Sequence, residues 1–470
     1  MAASKPQSPT RTQTRQNLPI TGPRAGALKV LNRLDRNKKT LDAVLDDAAP
    51  MIMGLSRRDR ALLNQLVYGV LRWRLRLDAV VDVYANRPLK RIDPPILNIL
   101  RIGLFQVLFM DRIPASAAVN TAVNLARTQK TSKAAGFVNA LLRNALRDPD
   151  RFSLPDAVDS PVDHMAIAKS FPHWLVSRWI DRIGVAETER LCDAMNTIPP
   201  ITLRCNQLKN SLSELVNALT VEAERIDIVE DVAGGVNLIR PRCPIPEMKA
   251  FVEGRFTVQD GAAQLVSLLL APQPGETVLD ACAGLGGKTT HLAQVMMNQG
   301  TIVAMDNSPA KLARLEKEAH RLGVPIIRTR CVDLNRPPES ETLPRFDRIL
   351  LDAPCSGLGV LRRNPDAKWS SQKKDIARFA RRQARFLDHL APLVKRDGVL
   401  VFAVCSMEPE ENEQVIKRFL KNHPNFAITG QQSIEEKAVL PFLGENGFLR
   451  TAPHIHHMDG FFAARLNRLC

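Results

Sequence analysis

The chain has 470 residues, 45% hydrophobic and 24% charged, which suits a large core or several domains and excludes a disordered chain. Lys and Arg number 65 against 49 Asp and Glu, a formal charge of +16, so phosphate-bearing partners, nucleic acid first, are expected. Eight scattered cysteines without a C-x-x-C pair exclude a disulfide framework or zinc site, and the absence of a long apolar run predicts a cytoplasmic protein without a membrane span.

Residues 1–24 carry Lys5, Arg11, Arg15 and Arg24 with no acid and four prolines, the pattern of a flexible basic tail. Residues 25–150 have helical periodicity throughout. Ser56 reads as an N-cap with Asp59 three residues on, and Leu62, Leu63, Leu66, Val67, Val70 and Leu71 share one helical face. Asp93-Pro94-Pro95 opens a helix that is apolar nearly all round and is therefore expected at a bundle centre. Arg57, Arg58, Arg60, Arg72, Arg74, Arg76, Arg143 and Arg147 read as a docking surface for RNA.

The Pro-, Asp- and Ser-rich stretch 148–163 marks a domain boundary. Residues 164–255 mix helices and short strands, a small α+β linker with a role in RNA binding, and Trp174 and Trp179 are expected in its core. From 256 to 470 strands alternate with helices. The strands at 276–281, 301–306, 325–333, 347–354 and 399–406 predict a doubly wound parallel sheet whose ligands sit at the carboxyl ends of the strands.

Three glycines follow the first of these strands in DACAGLGGKTT, where Gly284, Gly286 and Gly287 allow a ligand close to the backbone before a helix begins. The next strands end in Asp306, suited to ribose hydroxyls, and in Asp333, on the adenine side. The spacing is not G-x-G-x-x-G, which disfavours a nicotinamide dinucleotide. S-adenosylmethionine fits better.

The fourth strand runs into Asp352-Ala353-Pro354-Cys355. Methyltransferases acting on amino nitrogens place an aromatic where this chain has Cys355, which points to another target atom. Carbon 5 of a pyrimidine is a weak nucleophile until a thiolate adds to carbon 6, and covalent catalysis of that kind needs a cysteine. A second cysteine, Cys405, ends the fifth strand. Cys355, Cys405 and Asp352 should therefore converge beside the donor, while Cys282 and Cys331 read as structural. The run His454 to His457 lacks supporting ligands and reads as a turn, so no metal is expected.

DACAGLGGKT, DAPCSGLG, the VCS tripeptide and the closing DGFF resemble the bacterial Sun-type ribosomal RNA cytosine-carbon-5 methyltransferases. SRRDRALLNQLVYGVLRWR at 56–74 resembles the RNA-binding domain of the antitermination factor NusB. The resemblance implies a multidomain chain: an all-α NusB-like bundle over 25–150, the small α/β subdomain, and a Rossmann-like class I methyltransferase domain over 256–470. It implies Cys405 as the nucleophile, Cys355 as the residue assisting breakdown of the adduct, and Asp352 as a hydrogen-bond partner of the cytosine that also lies near the donor. Cys282, Ala283, Gly284, Leu285, Gly286, Gly287 and Lys288 match the donor-binding loop, with Asp306 and Asp333 on the nucleoside side. Small-subunit ribosomal RNA, free or in a partly assembled subunit, is the implied partner. Two positions depart from the family pattern: Gly284-Leu285 replaces Ala-Pro, and Val404 replaces a hydroxyl residue before the nucleophile.

Residues 362–385 hold nine Lys or Arg against two acids. Arg362 and Arg363 directly follow the Cys355 loop, so this stretch is expected to contact RNA. Two competing readings are an RNA amino-nitrogen methyltransferase, for which Cys405 would be dispensable, and a non-catalytic NusB-like RNA-binding factor.

Overall fold

A computed structural model of the chain describes residues 22–36, 39–129, 134–338 and 343–469. Lys5, Arg11 and Arg15 of the expected tail, and Cys470, lie outside the described residues. The chain divides into two units between Ser170 and Phe171.

The described part of the first unit is helical: α1 (Pro23–Arg36), α2 (Leu41–Met53), α3 (Arg57–Arg72), α4 (Arg74–Tyr84), α5 (Pro94–Phe109), α6 (Ala115–Arg127), α7 (Ala134–Arg147) and α8 (Pro161–Lys169). Ser56 caps α3 as expected, its hydroxyl accepting from Asp59 N at 3.2 Å and so satisfying a donor the helix leaves open. Helix α5 is buried from Ile96 through Gln106 with little interruption, which makes it the centre of the bundle. Its one buried cation, Arg101, makes a two-pronged contact with Asp78 at 2.7 and 2.8 Å, as burial of a guanidinium requires.

The expected arginine surface is only partly a surface. Arg57, Arg58, Arg143 and Arg147 are exposed. Arg72 is buried, Arg74 pairs with Asp35 at 3.2 Å, and Arg76 lies over the Phe152 ring. These three are engaged within the unit, where burial disfavours their charge.

The second unit opens with α9 (His173–Ile183) and α10 (Val185–Asn196). Trp179 is fully buried and donates from Nε1 to Glu408 at 3.0 Å, whereas Trp174 is only half-buried. Strands β1 (Ile201–Cys205), β2 (Ala223–Ile228), β3 (Gly235–Pro241) and β4 (Phe256–Val258), with α11 (Leu212–Leu219) and α12 (Lys249–Val252), form an antiparallel sheet in the order β2-β3-β1-β4.

The larger sheet alternates with helices α13 (Gly261–Leu270), α14 (Gly287–Val295), α15 (Pro309–Leu322), α16 (Ala367–Ser370), α17 (Lys373–Leu390), α18 (Glu413–Asn422) and α19 (Pro453–His456). Its strands are β5 (Thr277–Asp280), β6 (Thr301–Asp306), β7 (Ile327–Cys331), β8 (Phe346–Asp352), β9 (Val394–Val404), β10 (Phe426–Ile428), β11 (Phe448–Arg450) and β12 (Phe462–Arg468). The order is β10-β12-β9-β8-β5-β6-β7, with β11 beside β12. The five strands β5 to β9 are parallel, as expected, but β10, β11 and β12 are antiparallel. The sheet is therefore mixed rather than wholly parallel. Strand β12 begins where β9 ends, with Phe462 opposite Val404, and runs back along it to pair Asn467 with Val399; just before it, Gly460 N donates to Gly359 O at 2.8 Å.

Apolar side chains cover both faces of this sheet. Phe346, Phe386, Phe402 and Phe419 fill one side, and Leu265, Leu269, Leu292 and Val401 the other. Register then aligns the carboxyl ends of the parallel strands, with Asp306 opposite Cys331 and Asp352 opposite Ala403. That edge is where a site can form.

Candidate active site

The glycine loop connects β5 to α14. Gly286 has φ +86°, and a Cβ there would come within 2.6 Å of Leu315 Cγ, so only glycine can make the turn. Gly286 N donates to Ala283 O at 2.9 Å, and Ala283 N to Met305 O at 2.8 Å. Asp306, ending β6, accepts from Gly284 N at 3.0 Å and from Ser308 N at 2.9 Å. Each of its oxygens retains a lone pair for a further donor. A Cβ on Gly284 would meet no atom within 4 Å, so the backbone lies open to a nucleoside at that point. Leu285 is exposed, and burial pushes the Cys282 thiol far up. Asp333, just beyond β7, is exposed; contacts from Asn335 N (3.0 Å) and Nδ2 (2.7 Å) hold its carboxyl below the usual range. The loop, Asp306 and Asp333 thus follow one another along adjacent strand ends, an arrangement that fits an adenosyl group.

Lys288 extends beyond the loop. Its ammonium lies 2.6 Å from Asp352 Oδ2 and 5.1 Å from the centre of the Phe461 ring. Burial disfavours its charge, but Asp352, and then Cys405, outweigh that cost and raise its pKa. Under the loop, Arg204 of β1 is fully buried and donates to Gly287 O at 2.7 Å and Thr290 Oγ1 at 2.9 Å, and also to Gln259 Oε1. Nothing in the sequence marks this arginine, because its role depends on a partner 83 residues away.

Cys355 and Cys405, 50 residues apart in sequence, bring their sulfurs to 3.1 Å. Strand pairing accounts for the approach: Ala353 N donates to Ala403 O at 2.8 Å, and Gly359 N to Cys405 O at 3.0 Å. A Cβ on Gly359 would sit 1.9 Å from Gly460 O and 2.9 Å from Cys405 O, so a larger residue would push the Cys355 loop away from both backbones. The hydrogen bond with Cys405, reinforced by burial, drives the Cys355 thiol well above its ordinary range. Val404 is buried against the sheet.

Two buried acids behind the thiols escape sequence reasoning, because EPEENE at 408–413 reads as a solvated acidic run. Glu408 accepts from Trp179 Nε1, Arg178 Nε and Arg182 Nη1. Glu411 accepts from Ser406 Oγ at 2.6 Å, Ser356 N at 2.8 Å and Gln383 Nε2 at 3.1 Å. The only available signal is the spacing of three between the acids, directly after Cys405.

Arg362, expected at the RNA surface, is turned into the protein. It is 4% exposed and, with Arg363, clasps Asp260 and Asp459: Arg362 Nε reaches Asp459 at 2.6 Å, Arg363 Nε the same carboxylate at 2.7 Å, and Arg363 Nη2 reaches Asp260 at 2.7 Å. Two buried aspartates demand these charges. On α17, by contrast, Lys373, Lys374, Arg378, Arg381 and Arg385 are exposed. His454 pairs with Glu187 at 2.8 Å, and among the described residues no group of His, Cys, Asp or Glu is arranged to hold a metal. No described helix is long and apolar enough to cross a membrane.

A five-stranded parallel core with its ligand edge built this way defines a Rossmann-like methyltransferase. The model of the 16S rRNA methyltransferase RsmB/F family matches residues 267–467, that of the NusB family 21–147, and that of the ferredoxin-like domain of the RsmF/B-like methyltransferases 171–246. The probable ribosomal RNA small subunit methyltransferase B of Bacillus subtilis is 36% identical over 94% of this chain and 98% of its own length. Ribosomal RNA small subunit methyltransferase B of Pseudomonas syringae pv. tomato is 35% identical over 95% of this chain and 97% of its own. The crystal structure of PH0851 superposes with a TM-score of 0.78 at 27% identity, covering 96% of this chain and all of that one. The chain belongs to the family of the ribosomal RNA small subunit methyltransferases B.

Proposed function

We propose that this protein methylates carbon 5 of a cytosine in small-subunit ribosomal RNA, using S-adenosylmethionine and a covalent adduct on Cys405. The observation that carries this reading is the 3.1 Å approach of two thiols beside the Lys288–Asp352 ion pair. When bound along the loop from Cys282 to Lys288, with Asp306 and Asp333 on its nucleoside, S-adenosylmethionine supplies an electrophilic methyl group.

Cys405 sulfur forms a bond to carbon 6, and the electron pair of the 5,6 double bond becomes available at carbon 5. Lys288 stabilises negative charge on the Cys405 sulfur, and Asp352 hydrogen-bonds the polar edge of the cytosine. After carbon 5 is methylated, a solvent water takes its proton, the freed C–H electron pair re-forms the 5,6 double bond, and the carbon–sulfur bond breaks with its pair returning to the Cys405 sulfur. Cys355, held as a neutral thiol against Cys405, assists that release. The target base must be unpaired or flipped out to reach the thiol, and the exposed cations of α17 are suited to its phosphates.

The test is nucleoside mass spectrometry of small-subunit RNA from cells lacking the protein, incubated with purified enzyme and isotope-labelled donor. Labelled 5-methylcytosine that disappears with Cys405→Ala is the expected result. Label on an amino nitrogen would move the function to the other enzyme class. Running the same assay on partly assembled subunits identifies the preferred form of the RNA.

A further inference from the structure

Each cysteine of the pair is followed by a serine, Ser356 and Ser406, and both serines are buried with their hydroxyls 3.3 Å apart. A single carboxylate ties them together. Glu411 Oε2 accepts from both hydroxyls, while Oε1 accepts from Ser356 N at 2.8 Å. Gln383 of α17 bridges Glu411 Oε1 and Pro354 O, at 3.1 Å each. The Ser406 hydroxyl also accepts from Glu408 N at 3.2 Å.

Glu411 is itself fully buried, and its partners are hydroxyls, an amide and a backbone N–H rather than a cation. Burying a carboxylate is costly unless several donors converge on it. Here the donors come from both cysteine loops, so the carboxylate is satisfied only while the loops keep their relative position. Packing alone does not require this, since an apolar residue would fill the same space without the desolvation cost.

We infer that Glu411 is a positioning residue: through Ser356 and Ser406 it sets the spacing of the two thiols, and so keeps Cys355 beside the sulfur that must be released from the base. The inference rests on the covalent reading above. Its distinctive consequence lies in the partition between adduct and product. If the clamp loosens, Cys405 can still add to the base, but Cys355 is displaced and the adduct persists.

The experiment compares wild type, Glu411→Gln, Ser356→Ala and Ser406→Ala, with donor binding as the check that each protein is folded. Two readouts are taken. One is the ratio of RNA adduct on a denaturing gel to methylated product. The other, which needs no RNA, is the rate at which diamide oxidises Cys355 and Cys405 to a disulfide, itself being reduced to the hydrazine. Glu411→Gln is expected to raise the adduct-to-product ratio and slow cross-linking, each by roughly ten-fold, the scale of removing one charge-assisted hydrogen bond. The serine variants should move both readouts in the same direction.

Adduct and product falling by the same factor, with cross-linking unchanged, would overturn the inference and leave Glu411 a structural acid. Wild type that forms neither adduct nor 5-methylcytosine would overturn the covalent reading instead, and cross-linking would still report whether Glu411 sets the thiol spacing.

Discussion

The sulfur of Cys355 lies 3.1 Å from that of Cys405, at the ends of two adjacent parallel strands. A disulfide bond is about 2.05 Å long, so a small side-chain adjustment would join them. Hydrogen peroxide would take two hydrogens from the pair and leave as two waters, removing both thiols that the proposed mechanism uses. Mild peroxide should therefore inactivate the enzyme with loss of two titratable thiols, and dithiothreitol should restore it. Full activity in protein whose Cys355–Cys405 peptide is shown by mass spectrometry to be cross-linked would contradict the site.

Lys288 and Asp352 form a mostly buried pair, their side chains 12% and 30% exposed. Replacing Asp352 by Asn leaves a buried ammonium without its counter-charge, whereas replacing both residues removes the demand as well. In a double-mutant cycle by urea unfolding, Asp352→Asn and Lys288→Met should each destabilise, and the pair should cost less than the sum by about 1 kcal/mol or more. Strict additivity would mean the ion pair contributes nothing to the fold. Under the proposed mechanism both single variants should also lose turnover, because Lys288 is assigned to the Cys405 sulfur and Asp352 to the base.

Residues whose roles follow from local chemistry are legible in the sequence. Ser56 caps its helix because the hydroxyl and Asp59 are three residues apart, and the glycine loop announces itself because a tight turn needs glycine at 286. Cys355 and Cys405 can be paired because the ends of parallel strands share one edge. Residues whose roles depend on burial are not legible there. Arg362 and Arg363 look like RNA ligands until two aspartates, about a hundred residues away in sequence, neutralise them. Glu411 looks solvated until two serines from different loops meet it. The antiparallel pairing of β12 with β9 is a long-range register, which no local periodicity encodes.

The burial of Arg362 separates two kinds of cation near the site. Arg362→Ala removes a guanidinium that is 4% exposed from the Asp260–Asp459 cluster, and should cost on the order of 3 kcal/mol of stability. It should leave the salt dependence of RNA binding unchanged. Lys373→Ala, Lys374→Ala and Arg381→Ala alter exposed positions on α17 and should do the opposite. Removing one phosphate-binding cation should lower the log-log salt slope by roughly 0.7 for a single strand. Binding titrations over a salt series would distinguish them, and an unchanged slope in the triple variant would remove α17 from the RNA surface.

Asp280 ends β5, beneath the glycine loop. One oxygen accepts from Thr289 Oγ1 at 2.7 Å and the other is buried without a hydrogen-bond partner. Burial pushes its carboxyl up to about 7, with the Thr289 hydrogen bond acting against the shift. In the unfolded chain the same carboxyl ionises near pH 4. Between about pH 4 and about pH 7 the folded protein therefore holds a proton that the unfolded chain has released, and stability falls as pH rises, by at most about 1.4 kcal/mol per unit. Below that window both states are protonated and the contribution is complete; above it both are ionised and the loss is constant. Asp280→Asn keeps the shape without the titration, so its unfolding free energy should decline less steeply than wild type across the window and exceed it most clearly at about pH 8. Parallel curves for the two proteins would show that Asp280 is ionised throughout, which would require Lys288 to stabilise its charge more strongly than burial opposes it.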